Sequence, residues 1–204
     1  MDNLFETPLY DGQLIRLGPI DHEKDAEIES RWTHDASFMR LMYLDPMRPL
    51  SVAQVKKKYE ELEKTADEDR QPIPFRIRAR EDDRLVGLAE FNWIQWNNGI
   101  AGIRLGIGAP EDRRKGYGRD ALDLLLRFAF NEINLYRLTS IIPAYNAAAL
   151  RLFASVGFTR EVTHREAVNR DGRLWDLYHY GLLVEEWRHL QLAPITVETV
   201  IQGE

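Results

Sequence analysis

From Leu122 to Ile133 the chain places Leu122, Leu125, Leu126, Ala129, Phe130 and Ile133 at helical spacing, on a surface that is apolar nearly all round. A helix of that kind has to be covered over most of its surface. The flanking segments supply the cover: "GIAGIRLGIGAP" before it and "LYRLTSIIPAY" after it both read as strands. A strand, a crossover helix and a returning strand form a unit that is almost always right-handed. The class is therefore α/β.

The other segments make the sheet mixed. "LIRLGPI" at Leu14 to Ile20 alternates like an opening strand, and "DHEKDAEIESRW" supplies an Asp21 cap for a first helix. Phe38 to Pro49 combines prolines with large apolar groups and reads as a loop, followed by a helix capped at Ser51 with Val52, Val55, Tyr59 and Leu62 on one face. "FRIRAR" and "LVGLAEFNWIQW" alternate on either side of the polar turn "EDDR", which makes a hairpin. "NAAALRLFASVGF" is a helix with Asn146 as cap and Gly157 as its left-handed stop. Two final alternating runs joined by "NRDG" close the sheet with an antiparallel pair. With 204 residues, residues 1–187 are expected to form a single domain. Residues 188–204 are expected to be a tail or an edge strand donated to a second subunit, which leaves room for a homo-oligomer.

Several classes of function drop out on composition. The chain has no cysteine, so disulfides, thiolate metal sites and a cysteine nucleophile are excluded, as suits a reducing compartment. "MDNLFETPLYDG" lacks the basic and apolar regions of a secretion signal, and no apolar run approaches the roughly 20 residues of a spanning helix, so a soluble cytoplasmic protein with no membrane partner is expected. A formal charge of −6 argues against nucleic acid and leans towards a cationic substrate. His164, His179 and His189 show no ligand spacing with carboxylates, and no metal is expected.

The chemistry concentrates just ahead of the apolar helix, in "EDRRKGYGRD". A helix N-terminus presents unpaired N–H groups and partial positive charge. Gly116 and Gly118 remove side chains that would block close approach, and Arg113, Arg114, Lys115 and Arg119 add positive charge. A pyrophosphate fits such a turn. Solvated charges with glycines serving only backbone geometry fit it as well. The pattern is neither G-x-x-x-x-G-K-[ST] nor G-x-G-x-x-G, which sets aside a P-loop and a dinucleotide fold.

"RRKGYG" resembles the R/Q-x-x-G-x-G/A acyl-CoA signature of the GNAT (general N-acetyltransferase) superfamily. "IRLGIGAPED", "FAFNEINLYRL", "NAAALRLFASVGF" and "HREAVNRDGRLWDLYHYGLLVEEW" resemble the branch that holds ribosomal-protein N-terminal acetyltransferases and spermidine acetyltransferases. The resemblance runs from about Leu14 to Trp187. It implies a mixed, mostly antiparallel central sheet, flanked by helices and splayed between its fourth and fifth strands, with acetyl-CoA as cosubstrate. The pantetheine arm would lie between Leu105, Gly106 and Ile107 on one side and Ile142 to Tyr145 on the other. Arg113, Arg114, Lys115, Gly116, Tyr117, Gly118 and Arg119 would hold the pyrophosphate. Asn146 would fix the coenzyme, cap its helix, or do both, and Phe153 would stand beside the coenzyme.

The resemblance further implies direct transfer to a primary amine, of a peptide N-terminus, a polyamine or another small molecule. An alkylammonium with a pKa near 10.4 must first lose a proton. Glu90, set among bulky apolar residues of a strand, is the candidate base, against the plainer reading of an exposed strand carboxylate. A backbone N–H around Leu105 to Ile107 would stabilise the oxyanion. Relatives often protonate the departing thiolate with a tyrosine where this chain has Phe153; either transfer proceeds without that acid, a CoA thiolate being a fairly good leaving group, or Tyr145 or Ser155 is the candidate substitute. His34 and Asp35 lie in the region that lines the acceptor site in relatives, and equally in a helix-end position. The competing readings are an acyl-CoA-binding module without turnover and, more distantly, a nucleotide-phosphate binder.

Overall fold

The strands of the molecule are β1 (Ile15–Gly18), β2 (Ile73–Ala79), β3 (Leu85–Gln95), β4 (Ile100–Ile107), β5 (Arg137–Pro143), β6 (Thr159–Arg170) and β7 (Arg173–Leu183). In the computed structural model, which describes residues 9–45 and 48–192, they form one sheet in the order β1-β2-β3-β4-β5-β7-β6. Every pairing is antiparallel except that of β4 with β5. The helices are α1 (Asp25–Thr33), α2 (Ala36–Met42), α3 (Val52–Asp69), α4 (Tyr117–Arg127), α5 (Ala147–Ser155) and α6 (Val184–Leu192). The mixed α/β class and the parallel β4–α4–β5 unit match the expectation from the sequence.

α4 is the centre of the larger core. Leu122, Leu124, Leu125 and Leu126 are closed off from solvent and pack with Ile77, Phe91, Ile103 and Leu138 of the sheet, while α5 and α6 add Phe153 and Trp187. The helical pattern does not run on unbroken to Ile133. Phe128–Glu132 forms a wider π-type turn, with Ile133 N–H donating to Phe128 O at 3.1 Å. The extra width turns two rings that are two residues apart into different pockets: Phe128 packs on Phe75 and Phe91, with centroids at 5.5 and 5.9 Å, and Phe130 packs on Trp187 at 5.3 Å.

α1, α2 and α3 cover the opposite face of the sheet. There the alternation of "FRIRAR" does not mean one wet face, because Arg76 and Arg78 are themselves buried. Arg78 donates to both oxygens of Asp25 on α1 (2.9 and 2.8 Å), and Arg76 donates to Glu29 (3.0 Å), which also accepts from Tyr59 Oη (2.8 Å) and Lys58 Nζ (3.3 Å). Burial first, then the adjoining Glu29 carboxylate, push the Tyr59 phenol well above its ordinary pKa, so it stays a donor.

Three boundaries differ from expectation. α1 begins at Asp25, because the Asp21 carboxylate is spent on the N–H groups of Glu23 and Lys24 in the turn before it. The expected loop from Phe38 onward holds α2, capped by Asp35, whose Oδ1 accepts from Ser37 N–H at 2.8 Å. The prolines of that stretch lie beyond Met42 and leave the helix intact. The expected tail starts inside α6, which carries Arg188–Leu192, and residues 193–204 lie outside the described part.

Candidate active site

β4 and β5 pair through only three residues each: Ile100 with Arg137, Ala101 with Leu138, and Gly102 with Thr139. Beyond them β4 continues to Ile107 along β3, and β5 continues to Pro143 along β7. The two strands therefore diverge while each keeps its outer neighbour. Gly108 N–H donates to Val86 O on β3 at 3.0 Å, which sets the phase of β4. Counting back by twos, Gly106 faces β3 with its backbone polar groups, whereas Leu105 and Ile107 turn theirs into the gap.

The gap leads to the turn ahead of α4. A short 3₁₀ turn, Pro110–Asp112, ends in a buried carboxylate that Arg84 holds with two bonds of 2.5 and 2.6 Å and Lys115 with a third of 3.1 Å. The Arg84 bonds above all hold the Asp112 carboxyl below its ordinary pKa. Arg114 and Gly116 then adopt φ of 63° and 90°, which reverses the chain so that α4 starts at Tyr117 pointing into the gap. Glycine tolerates that conformation, while Arg114 accepts a cost for it. Gly118 leaves room beside it: an added Cβ would meet nothing closer than Leu152 at 3.5 Å.

The resulting cleft has a volume of about 640 Å³. Leu105, Gly106 and Ile107 form one wall, the turn from Arg113 to Arg119 forms the mouth, and Asn146, Ala149, Leu152 and Ser155 of α5 face β4. Phe38, Leu41 and Met42 of α2 close the back. α2 is fastened there by its carbonyls. Tyr145 Oη donates to Arg40 O at 3.0 Å and Asn146 Nδ2 to Leu41 O at 3.2 Å, while the Arg40 guanidinium grips Asp171 of the β6–β7 turn at 2.7 Å twice.

The positive groups of the mouth are not equivalent. Arg113 is turned inward, donating to Gly108 O (2.7 Å), Ile107 O (3.4 Å) and Asp35 (3.3 Å). Lys115 is tied to Asp112, and Arg119 to Asp123 and Ser155. Arg114 lines the cleft, exposed, with no hydrogen bond or ion pair among the described residues. Arg151 of α5 has the same character and was not singled out from the sequence. The available signal was its spacing in "NAAALRLFAS", which puts Ala148, Arg151, Leu152 and Ser155 on one helical face.

Of the three catalytic candidates, Ser155 alone lines the cleft. Tyr145 is outside the cleft walls, its ring edge-on to Trp175 and its hydroxyl spent on Arg40 O. Ser155 sits at the mouth, where its hydroxyl donates to Leu152 O (2.7 Å) and accepts from Arg119 (3.1 Å), two helical turns from Asn146. Phe153 is not beside the cleft either: it is 3% exposed and packs edge-on against Phe158 in the core. Tyr117 also packs against the core. Glu90 lies on the face of the sheet that α1–α3 cover, ion-paired with Arg104 opposite it on β4, and Arg104 in turn stacks over Tyr43 at 4.9 Å. Asn146 caps α5 through Ala149 N–H (3.1 Å) and also lines the cleft. Asp35 is the α2 cap, and His34 is exposed at the end of α1. Among the described residues there is no group of three or more metal-ligating side chains, and no helix long and apolar enough to cross a membrane.

Residues 15–159 match the model of the acetyltransferase (GNAT) domain. An uncharacterized N-acetyltransferase from Bacillus licheniformis is 27% identical over 80% of this chain and 90% of its own length. The spermidine N(1)-acetyltransferase of Vibrio cholerae is 27% identical over 50% of this chain and 59% of its own. Among solved structures, the V. cholerae spermidine N-acetyltransferase in complex with CoA and spermine superposes with a TM-score of 0.74 at 20% identity, over 86% of this chain and 98% of that one. A GNAT-family acetyltransferase from Bacillus anthracis does so with 0.72 at 20% identity, over 87% and 99%.

Proposed function

This chain belongs to the GNAT acetyltransferase family, and from that premise we propose that it transfers the acetyl group of acetyl-CoA directly to a primary amine. The observation that carries the reading is the early end of β4–β5 pairing, which opens a cleft running from unpaired strand backbone to a glycine-bearing helix start.

The residues present suit such a cosubstrate. An amide-bearing arm pairs with the β4 groups of Leu105 and the N–H of Ile107 as a further strand would. A diphosphate is met by the N–H groups of the turn around Gly116 and Gly118, by the α4 dipole and by Arg114. Among the described residues no carboxylate lines the cleft, although the chain as a whole carries a net −6. Acetyl-CoA supplies an activated acyl group on a good leaving thiolate, so a protein that orients a neutral amine against it and stabilises the developing oxyanion does most of what is needed. The unpaired N–H groups of β4 serve the second purpose. Tyr145 and Ser155 spend their hydroxyls on backbone carbonyls, so in this reading the proton shed by the attacking nitrogen reaches the departing thiolate through solvent in the cleft.

For the acceptor, a polyamine is favoured by the V. cholerae relatives, one named for spermidine and one solved with spermine, and by the acidity of this chain. The same neighbours include a dodecameric spermidine N-acetyltransferase, which supports assembly of this chain into a homo-oligomer as well. Residues 15–192 act as one catalytic domain in this reading, in the cytoplasm. Release of free thiol from acetyl-CoA, assayed against polyamines, aminoglycosides and N-terminal peptides, tests it. Turnover with one class of amine is the expected result. A second reading, coenzyme binding without turnover, draws on the burial of Phe153 where relatives carry a tyrosine. Calorimetric binding of CoA with no amine-dependent thiol release from the whole panel establishes it and overturns the first.

A further inference from the structure

The opening between β4 and β5 has two lips on the face of the sheet that carries α1–α3. Gly102 and Thr139 are the last residues paired across it, so Arg104 and Ile141, two positions further on and on the same face, stand on opposite lips. One strand behind Arg104 lies Glu90, and one strand behind Ile141 lies His179. An acceptor that approaches an acyl group in the opening from this side passes between a carboxylate and an imidazole. The carboxylate is taken, since Glu90 is ion-paired with Arg104, which itself packs on Tyr43. The His179 ring makes no hydrogen bond among the described residues. Its cross-strand partners Ile141 and Val162 are each 45% exposed, so the helices leave this end of the face open. The titratable and charged groups facing it there are His164 of β6, stacked on it at 4.6 Å, and Glu161 of β6, which is bonded to Arg137 of β5.

We propose that His179 is the general base of the transfer, its ring taking the ammonium proton of the acceptor before the nitrogen attacks. The inference rests on the acetyl-transfer reading above. An N–H bond of the ammonium breaks, its electron pair stays on nitrogen, and the proton goes to the unprotonated imidazole nitrogen. That pair then forms the C–N bond as the C–S bond breaks, and a second proton leaves the nitrogen for the thiolate through solvent. The imidazolium returns its own proton to solvent. Burial first, then the adjoining His164, hold His179 below its ordinary value, so the ring is unprotonated at neutral pH and sheds an acquired proton readily.

The test is the pH profile of kcat/KM for thiol release from acetyl-CoA, taken for the wild type, His179→Gln and His164→Gln with the alkylamine that turns over fastest. With a base in place the protonated amine is the substrate, so the wild type should be level from about pH 7 up to the pKa of the amine, about 10.4. His179→Gln should be about 10²-fold slower at about pH 7 and climb about tenfold per pH unit, closing on the wild type as the amine itself deprotonates. His164→Gln should keep the level profile and move its acid limb up towards 6.5, because one cause of the lowered value is gone. A wild type that itself climbs about tenfold per unit overturns the proposal, and this arm needs no variant to fold. A His179→Gln profile parallel to that of the wild type also overturns it, whatever the drop in rate. Absence of thiol release by the wild type with every amine is a different failure, that of the acetyl-transfer reading itself.

Discussion

Arg113 and Asp35, 78 positions apart, meet at 3.3 Å, and the same guanidinium nitrogen reaches Gly108 O at 2.7 Å. One side chain thus joins the end of β4, which flanks the cleft, to the residue that caps α2, which closes the cleft from behind. Asp35→Ala removes both the cap and the ion pair. Loss of an N-cap costs about 1 kcal/mol, and the partly exposed pair adds little. The variant should melt about 2–4 °C lower, as read by circular dichroism. Asp35→Ser, which keeps a capping oxygen and drops the charge, should recover most of that loss.

Gly106 and Gly108 are expected to separate stability from activity. A Cβ on Gly108 would fall inside the indole of Trp32, a buried and rigid neighbour, so Gly108→Ala should destabilise by about 1–3 kcal/mol in urea unfolding. A Cβ on Gly106 would meet Met42 Sδ at 2.7 Å, and a methionine side chain can swing away. Gly106→Ala should melt near the wild type and yet lose acetyl transfer, because the displaced Met42 narrows the back of the cleft.

The parts of this fold that were legible in the sequence are those whose pattern is long. The apolar surface around Leu122 to Phe130 announced a buried crossover helix, and with it the parallel β4–β5 pair. α2 escaped because seven residues are two turns, and Pro46 and Pro49 dominated the stretch although they lie beyond the helix. The glycine turn was legible for the same local reason that it works: its geometry depends on nearby residues. The candidate acids were not, because whether a hydroxyl is free depends on distant partners, such as Arg40 O for Tyr145 and Arg119 for Ser155. Glu90 shows the same limit. Alternation placed it among apolar neighbours but gave no sign of Arg104 across the strand.

Glu90→Gln tests whether that carboxylate takes the proton of the amine. A general base contributes about 10²- to 10⁴-fold. With Glu90 paired to Arg104, and Arg104 packed on Tyr43, the carboxylate is expected instead to hold the Arg104 side chain in place. kcat/KM should therefore fall by less than about tenfold, and its pH profile should keep its shape. A fall of about 10²-fold or more with loss of one limb of the profile assigns Glu90 the role of base.

His164 and His179 stack nearly parallel on β6 and β7, with ring centroids 4.6 Å apart. Burial first, then the neighbouring His164, hold His179 below its ordinary value of 6.5, while Glu161 pulls in the opposite direction. The folded chain thus binds this proton less readily than the unfolded chain. Between the two pKa values the unfolded state carries more protons, and stability rises with pH. The contribution is complete above 6.5 and is lost as the pH falls from there through the folded value. Urea unfolding at about pH 7.5 and about pH 5.5 should show the wild type weaker at the lower pH, and His179→Gln should shrink that difference. His164→Gln should shrink it in part, because it removes the second cause of the shift and leaves the first. An unchanged difference in both variants would place the acid sensitivity elsewhere.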